Sequence, residues 1–355
     1  MIVGIDARAA TEEVAGGGRY VRELLRALAA RGDDHRYVLY AREEWSGGLD
    51  ARFSWRLLGR REPLWNLAAA RAANRECEVF LSTNSYLTTW PLTIPAVPVV
   101  YDLVAYDSSL RPSRRSGIIE RLTMPLAIRR AAGVVAISEA TGRALVERFP
   151  AAAGRISVTP LAAAPALAPA GPPAQLPDRF VLAVGTLEPR KNLPRLVEAY
   201  RRLPAALQEE HPLVIVGRVG WEAGETLRAL ESLGDRCLVL GVLSDEELAV
   251  AYARCSVFCY PSLAEGFGLP VLEAMAGGAA VITSDRSSLP EVGGDAVAYV
   301  DPTSVDSIAA ALEELLGDPG RRDDLGGRAA ARARTFSWDR TAELTLQALD
   351  AAVRR

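Results

Sequence analysis

Two glutamates and the glycines between them could bind a phosphorylated ligand. Glu265 and Glu273 lie eight residues apart in "AEGFGLPVLEAMAGG", with Gly266 and Gly268 between them. Glycines let backbone N–H groups approach a ligand closely, and a helix that begins near Pro270 attracts an anion such as a diphosphate. Carboxylates beside a diphosphate would accept hydrogen bonds from neutral donors, for which sugar and ribose hydroxyls are suitable. Alternatively, one glutamate is a turn residue and the other a partner of the helix dipole.

A pair of cations follows a buried strand in "VLAVGTLEPRKN". Arg190 and Lys191 come at the start of a helix, where the helix dipole disfavours positive charge. We therefore expect an anion beside them, and a diphosphate that gains charge as a glycosidic bond breaks would be stabilised by fixed cations. Arginine binds a phosphate bidentately, whereas lysine supplies a compact charge. Lys191 is the only lysine among 41 basic residues. The alternative is a solvated surface pair.

Two further features that could do chemistry lie in the first half of the chain. Gly16, Gly17 and Gly18 open a helix, and a glycine loop at a helix start can bind an anion. Their spacing matches neither the dinucleotide fingerprint nor the P-loop, and the loop could also have no ligand. Asp102 follows Tyr101 at the end of an apolar strand. There it could orient or deprotonate an acceptor hydroxyl, or have a structural role alone.

The composition excludes several other kinds of site. The chain has two histidines, His35 and His211, both in loop-like contexts, which excludes a histidine triad or a histidine metal site. No D-x-D triplet follows a strand, and we expect no metal and no other cofactor. Four cysteines lie in or beside apolar stretches, which is typical of reduced core thiols in a cytoplasmic protein. A net charge of −3 argues against a nucleic-acid partner.

Alternating apolar strands and amphipathic helices must position these residues. The predicted strands are, in the first half, "MIVGID", "RYVLYA", "EVFLST", "VPVVYDL" and "GVVAIS", and in the second half "RFVLAVG", "PLVIVG", "CLVLG", "VFCYPS", "AVIT" and "AVAYV". Short apolar strands separated by helices predict parallel sheets covered on both faces, and hence the α/β class.

The length of the chain and one change in composition predict its domains. A chain of 355 residues is too long for one ordinary α/β core. We predict a first domain over 1–165, a Pro/Ala-rich linker over 166–177 and a second domain over 178–338, each domain with a doubly wound parallel sheet. Two such sheets place a ligand cleft between them, at the carboxyl ends of strands.

The chain resembles the family 4 glycosyltransferases of the GT-B fold over nearly its whole length. The stretch "EGFGLPVLEAMAGG" is similar to their E-x7-E signature, and "GIDAR", "AISEATGRALVERF", "VLAVGTLEPRKN" and "FSWDRTAE" follow the family order. The resemblance implies two Rossmann-like domains with an interdomain cleft, and a helix over 339–355 that packs back on the first domain. It also implies a retaining enzyme, nearest to the mannosyltransferase-like enzymes of surface polysaccharide assembly.

The resemblance assigns roles to single residues. Glu265 would contact the transferred sugar and Glu273 the nucleotide ribose, while Lys191 is similar to the lysine of the family that binds phosphate. The backbone amides that would hold the phosphates and the sugar are those of Gly266, Phe267, Gly268 and Leu269. The glycines that would close over the donor from the first domain are Gly17 and Gly18.

Two positions depart from the family pattern. Thr186 stands directly after the strand glycine, where related enzymes often carry an arginine, so either Arg190 makes that donor contact or the contact is missing. Tyr101 replaces the histidine that many relatives have before the residue equivalent to Asp102. The role of that histidine near the reacting sugar therefore cannot be carried over to this chain.

The implied reaction moves a sugar from a nucleotide-diphosphate sugar to a hydroxyl of a glycan, a lipid-linked molecule or a small molecule. GDP-mannose is the first expected donor, followed by UDP- and dTDP-sugars. The basic run 111–130 has Ile, Leu and Met between its arginines. It could dock a lipid-linked diphosphate acceptor at the inner face of a membrane, or be a solvated helix. The expected location is cytoplasmic, with peripheral membrane contact.

Two other functions remain open. A GT-B-fold isomerase, such as a nucleotide-sugar 2-epimerase, would shuttle protons with carboxylates and histidines, and the scarcity of histidines disfavours it. A non-catalytic protein that only binds nucleotide-sugars would have the same donor pocket, and turnover of a donor would exclude it.

Overall fold

The computed structural model describes residues 1–12, 16–107, 114–164 and 176–355, without the side chains of 114–116. The chain forms two compact units, the first of Met1–Leu161 with Ser337–Arg355 and the second of Ala162–Phe336. The predicted domain borders, 165 and 338, lie a few residues beyond the observed ones. Most of the predicted linker, residues 166–175, lies outside the described residues.

The first unit is built on a seven-stranded sheet in which all neighbouring strands are parallel. In chain order the strands are β1 (Ile2–Asp6), β2 (Arg36–Ala41), β3 (Phe53–Leu57), β4 (Val79–Ser82), β5 (Ala96–Val100), β6 (Val134–Ala136) and β7 (Ile156–Val158). Their spatial order is β3-β2-β1-β4-β5-β6-β7. The two edge strands, β3 and β7, were not among the predicted strands, because both are only partly buried and give a weak apolar signal.

Helices cover the first sheet. They are α1 (Ala9–Glu12), α2 (Gly17–Arg31), α3 (Leu64–Glu76), α4 (Arg114–Arg130) and α5 (Glu139–Arg148), with short 3-10 turns at Tyr86–Thr89, Val104–Tyr106 and Pro150–Ala152. The predicted apolar stripe of α2 is its buried face, formed by Val21, Leu24, Leu25 and Leu28. Periodicity therefore indicated this helix and its core-facing side correctly.

The last helix of the chain, α14 (Trp338–Val353), belongs to the first unit. Its side chains Ala342, Leu346 and Leu349 form a buried stripe. Thr341 Oγ1 donates to the carbonyl of Pro160 at 2.5 Å, and the Trp338 ring lies 6.3 Å from that of Tyr20. The final segment thus completes the core of the unit in which the chain begins.

The second unit contains a six-stranded parallel sheet. Its strands are β8 (Val181–Val184), β9 (Leu213–Val216), β10 (Cys237–Gly241), β11 (Val257–Tyr260), β12 (Val281–Ser284) and β13 (Ala298–Val300), in the spatial order β10-β9-β8-β11-β12-β13. All six predicted strands of this half are present. They are buried apolar runs, except for the half-exposed edge strands β10 and β13.

Eight helices surround the second sheet in the described residues. They are α6 (Leu193–Arg201), α7 (Ala205–Glu210), α8 (Gly224–Glu231), α9 (Asp245–Arg254), α10 (Leu269–Ala276), α11 (Leu289–Gly293), α12 (Val305–Gly317) and α13 (Pro319–Ala333), with 3-10 turns at Pro189–Lys191 and Gly234–Arg236. Ser244 precedes α9 and forms a capping box with Glu247. The Ser244 hydroxyl accepts from the amide of Glu247, and the Glu247 carboxylate accepts from the amide of Ser244.

No helix in the described part of the chain has the length and apolar character that crossing a bilayer requires.

Candidate functional site

The strand order of the second sheet creates one point where neighbouring loops diverge. The chain starts at β8 in the middle, builds outward to β10, and then returns to β11 on the other side of β8. The connections that follow β8 and β11 therefore leave the sheet in opposite directions. Open α/β sheets bind ligands in the crevice outside the carboxyl ends of such strands. "EPRKN" follows β8 and the "EGFG" loop follows β11, so the two predicted motifs lie at this point.

Backbone and amide hydrogen bonds join the two loops. The amide of Leu263 donates to the carbonyl of Arg190 at 2.8 Å. Asn192, in the left-handed conformation at φ 60°, donates from Nδ2 to the carbonyls of Pro261 at 2.9 Å and Pro302 at 2.7 Å. A single side-chain amide thus bridges three segments of the second unit, and it fixes the 3-10 turn that carries the cations.

Arg190, Lys191, Tyr260, Ser262 and Glu265 form what we call the ion cluster. Glu265 Oε2 accepts from Arg190 Nη1 at 2.5 Å, and Oε1 accepts from Lys191 Nζ at 2.7 Å. The Tyr260 hydroxyl donates to Oε1 at 2.8 Å and the Ser262 hydroxyl at 2.7 Å. Lys191 also donates to the Tyr260 hydroxyl. The structure therefore brings together three of the predicted site residues and adds two neutral donors.

The ion cluster is buried and its charges depend on one another. The side chains of Glu265 and Lys191 are 7% and 9% exposed. Burial raises the pKa of Glu265, but the charges of Arg190 and Lys191 outweigh it and lower that pKa to about 2. Burial also lowers the pKa of Lys191, against the attraction of Glu265. Glu265 is consequently an ionised carboxylate held by two cations.

This arrangement corrects one part of the sequence analysis. The two cations were expected to need an anion from a ligand, because they stand before a helix. The structure supplies anions from the protein: Glu265 contacts both cations, and Glu188 Oε1 lies 2.5 Å from Arg190 Nε. The position of the cations alone therefore does not require a bound diphosphate.

The loop after β11 ends at the N-terminus of α10. Gly268 is the residue before the helix, at φ 103°, and a side chain there would collide with Leu289, whose Cδ2 atom would lie 2.6 Å from an added Cβ. Among the described residues, no hydrogen bond from the amides of Phe267, Gly268 or Leu269 is found. These N–H groups and the helix dipole are suited to an anion. Pro270 occupies the first turn, as predicted.

The second glutamate of the motif has a different environment from the first. Glu273 lies in α10, half-buried, and its Oε2 accepts from the Tyr252 hydroxyl at 3.1 Å. Thr186 follows Gly185 at the end of β8, and its methyl group packs so closely on Gly220 that a Cβ added there would lie 2.6 Å from it. Both residues are in the second unit, as predicted, outside the ion cluster.

The predicted residues of the first unit follow other strands. Gly17 and Gly18 are the first residues of α2, after Gly16 at φ 48°. The Tyr101 hydroxyl donates to the carbonyl of Thr83 at 2.9 Å. Asp102 Oδ1 accepts from the amide of Val104 at 3.0 Å. Asp102 thus shapes the turn after β5, and this bond occupies one carboxylate oxygen.

The His211 and cysteine side chains lie outside the ion cluster and pack within the fold. His211 is buried, its Nδ1 lies 2.9 Å from Ser256 Oγ, and burial with nearby Arg322 and Arg179 lowers its pKa to about 4. All four cysteines are free thiols. Among the described residues, no three His, Cys, Asp or Glu side chains are grouped as ligands of a metal would be.

Two protein-family models match this chain, one after the other. The model described as Glycosyltransferase Family 4 matches residues 14–167, and that described as Glycosyl transferases group 1 matches residues 169–332. The chain belongs to the family 4 glycosyltransferases. The predicted family membership is thereby confirmed, and the matches meet near the border between the two units.

Named relatives of this chain are mannosyltransferases. It is 37% identical over 227 residues to O-antigen chain mannosyltransferase B of Escherichia coli, a match that covers 61% of this chain and 59% of the relative. It is 42% identical over 176 residues to the serotype-specific mannosyltransferase WbdA of Escherichia coli, covering 48% of this chain and 22% of that protein. The chain thus spans less than two thirds of the length of these curated relatives.

A solved structure has the fold of this chain. Sucrose-phosphate synthase from Thermosynechococcus elongatus has a TM-score of 0.78 and 22% sequence identity, with 98% of both chains covered. Together with the two parallel sheets, this confirms the predicted α/β class and the GT-B type of two Rossmann-like domains.

Several residues around the site were not among those predicted from the sequence. Tyr260 and Ser262 complete the ion cluster, and their position at the carboxyl end of β11 was a signal that could have identified them. Glu188 was overlooked although it belongs to "EPRKN". In the first unit, Glu120 of α4 was overlooked as one acid within a basic run; burial and the charge of Asp102 raise its pKa to about 7.

Glu265→Gln is expected to destabilise the protein, because it leaves buried cations without a counter-charge. Breaking a buried pair from one side costs about 3 kcal/mol. The folded-state pKa lies below the ordinary value of 4.5, so this stabilisation is present at neutral pH and lost as the pH falls from about 4.5 towards 2. Urea unfolding at pH 7 measures the loss.

The matched control is Glu198→Gln, which removes a half-exposed carboxylate that pairs with Arg201 and Arg202 on the surface of α6. It should change the free energy of unfolding by less than about 0.5 kcal/mol. Equal effects of the two substitutions at pH 7 would contradict the energetic assignment of the ion cluster.

Glu120→Gln is expected to stabilise the protein at pH 8 but not at pH 4. The folded-state pKa of about 7 exceeds the ordinary 4.5, so the ionised glutamate costs stability that builds up as pH rises between these values. With allowance for partial exposure, the gain at pH 8 is about 1–2 kcal/mol. Thermal unfolding at both pH values tests this, with the exposed Glu147→Gln as control; a gain that is equal at both values would refute it.

Proposed function

We propose that this chain is a retaining hexosyltransferase that uses a nucleotide-diphosphate sugar, with GDP-mannose as the first candidate donor and UDP- or dTDP-sugars next. The observation that supports the proposal is the buried ion cluster beside the N-terminus of α10, at the switch point of the second sheet. The identity of the sugar rests on the mannosyltransferase names of the relatives. The acceptor is proposed to be a hydroxyl of a glycan or of a lipid-linked molecule.

In this proposal the diphosphate lies between the fixed cations and the amides of α10. Arg190 and Lys191 are already oriented by carboxylates, so they need little reorganisation as charge develops on the leaving diphosphate. Glu265 would accept a hydroxyl of the transferred sugar and Glu273 a ribose hydroxyl. The leaving diphosphate would take the proton of the incoming hydroxyl on the same face, and Asp102 of the first unit would orient the acceptor.

Competing functions have weaker support. The relatives are named as transferases, so the comparisons do not favour the nucleotide-sugar isomerase. A protein that only binds nucleotide-sugars would show thermal stabilisation by its nucleotide but no turnover. A panel of GDP-, UDP- and dTDP-sugars, scored for both readouts, separates these functions and identifies the base.

Peripheral membrane contact is the second part of the proposal. On α4, Ile118, Ile119 and Leu122 are exposed by 55–70%, and Leu126 continues the same side one turn later. Arg129 and Arg130 are exposed at the end of this helix. An exposed apolar stripe beside arginines suits the interface of an anionic bilayer, where a lipid-linked acceptor would be met. We therefore propose a cytoplasmic enzyme that contacts the inner face of a membrane.

Removing either cation is expected to impair transfer. Lys191→Ala and Arg190→Ala each delete a charge-assisted contact to the leaving diphosphate, for a loss of about 30–1000-fold in kcat/KM. The control is Arg201→Ala, which removes a half-exposed arginine of α6. Folding is checked by thermal unfolding. Two folded variants with the turnover of the unaltered protein would refute the proposed role.

Transfer is expected to be independent of a divalent metal. Two side-chain cations and helix amides would take the part that Mg²⁺ plays beside other diphosphates. Activity should persist in EDTA within about twofold of the untreated protein. Loss of activity in EDTA that Mg²⁺ or Mn²⁺ restores would contradict this charge assignment.

The apolar stripe of α4 is expected to bind vesicles that contain anionic lipid. Leu122→Ser removes its most exposed side chain and should reduce binding several-fold in co-sedimentation, whereas Val146→Ser on α5 should not. Binding to neutral vesicles measures the part of the affinity that does not depend on the charge of the lipid. Equal binding by both variants would show that α4 is a solvated helix.

A further inference from the structure

Two carboxylates contact the guanidinium group of Arg190 on two edges, and one of them, Glu188, was not among the predicted site residues. Glu265 Oε2 accepts from Nη1 at 2.5 Å, while Glu188 Oε1 forms an ion pair with Nε at 2.5 Å. The other oxygen of Glu188 accepts from the indole Nε1 of Trp221 at 3.0 Å. A chain of contacts therefore runs from Trp221 through Glu188 to Arg190 and ends at Glu265.

The two middle residues of this series of contacts, Glu188 and Arg190, are largely buried. The Glu188 side chain is 11% exposed and that of Arg190 is 21% exposed. A carboxylate with so little access to water is unfavourable unless it is paired, which distinguishes this contact from an ion pair on the surface. Indole N–H is only a donor, so Trp221 engages one carboxylate oxygen of Glu188 and restricts the rotation of that carboxylate.

Backbone pairing fixes Trp221 relative to Glu188. Beyond the ends of β8 and β9, Leu187 and Val219 form an additional parallel bridge. The amide of Leu187 donates to the carbonyl of Arg218 at 2.9 Å, and the amide of Gly220 donates to the carbonyl of Leu187 at 3.0 Å. A Cβ at Gly220 would lie 2.8 Å from that carbonyl oxygen, so glycine allows this close approach. The loop after β9 is thus a rigid support for the loop after β8.

We propose that Glu188 and Trp221 are positioning residues, which fix the plane of the Arg190 guanidinium for the diphosphate of the donor. This inference rests on the proposed nucleotide-sugar transfer. Neither residue needs to touch the donor. Nη1 contacts Glu265 and the Ala264 carbonyl, the latter at 3.3 Å, and Glu188 adds a contact at Nε. Contacts on two edges of a planar group restrict its rotation. Bidentate recognition of a phosphate depends on this orientation.

A positioning role predicts a particular kinetic pattern. Charge on the diphosphate is greatest in the transition state, so a loosely held Arg190 should reduce kcat more than it raises KM. Trp221→Phe keeps an aromatic ring but loses the N–H donor, and it should reduce kcat about 3–30-fold. Glu188→Gln keeps an acceptor for Trp221 but loses the charge beside Nε, and it should reduce kcat about 10–100-fold. KM should change less than about threefold in both.

The experiment combines both variants with Arg190→Ala in double-mutant cycles, using the nucleotide-sugar that the unaltered chain transfers. Without Arg190 there is nothing left to position, so Trp221→Phe and Glu188→Gln should cause no further loss of kcat. Glu222→Gln, an exposed acid in the same loop, is the control and should behave like the unaltered chain. Thermal unfolding of every variant identifies any that fails to fold.

The outcomes are distinct. A loss of kcat in the single variants that disappears in the Arg190→Ala background supports the inference. Losses that multiply in full in that background, or single variants with unchanged kcat, would overturn it while transfer itself stands. If Glu188→Gln unfolds, Glu188→Asp replaces it, because its shorter side chain withdraws the carboxylate from Nε. A loss of kcat that disappears in the Arg190→Ala background is then the supporting result, and an unchanged kcat overturns the inference. Absence of transfer by the unaltered chain would overturn both the proposed function and this inference.

Discussion

The second unit depends on the balance of four buried or half-buried charges at the ends of β8 and β11. Arg190 and Lys191 are matched by Glu188 and Glu265, so the group is close to neutral before any ligand binds. None of these charges could be buried without the others, because an unpaired ion in such surroundings is strongly unfavourable. The cations are consequently oriented in advance. A site for a leaving diphosphate benefits from charges that do not have to reorganise.

The sheet makes this balance possible. Arg190 and Glu265 are 75 residues apart in the chain, and they meet because β8 and β11 are neighbours in a parallel sheet. The glycines at the strand ends let the following loops lie close to each other: a Cβ at Gly217 would lie 2.0 Å from the carbonyl oxygen of Gly185. Asn192 and the pairing of Leu187 with Val219 then fix the loops as one body. The charged side chains thus lie in or beside loops, and the strands fix the positions of those loops.

The predicted residues of the first unit have different surroundings. The Tyr101 hydroxyl donates to the Thr83 carbonyl, and its ring packs on Tyr20. Tyr101 therefore serves packing. Asp102 is the predicted side chain of this unit that could take part in a reaction. Glu120 adds a second carboxyl whose pKa is raised by burial and by the charge of Asp102. Two like charges that disfavour each other are often found where a protein binds polar ligands.

The sequence by itself determined the α/β class, all six strands of the second sheet and the family, because short apolar runs, helical periodicity and the E-x7-E motif are local signals. It identified Arg190, Lys191 and Glu265 for the same reason. It could not show that Glu265 is the anion that the two cations contact, nor that Tyr260, Ser262, Glu188 and Trp221 join them. Those contacts connect residues from separate strands and loops, and only the order of strands in the sheet decides which loops meet. The edge strands β3 and β7 were missed because partial burial weakens the apolar pattern, whereas pairing with a neighbour still makes them strands.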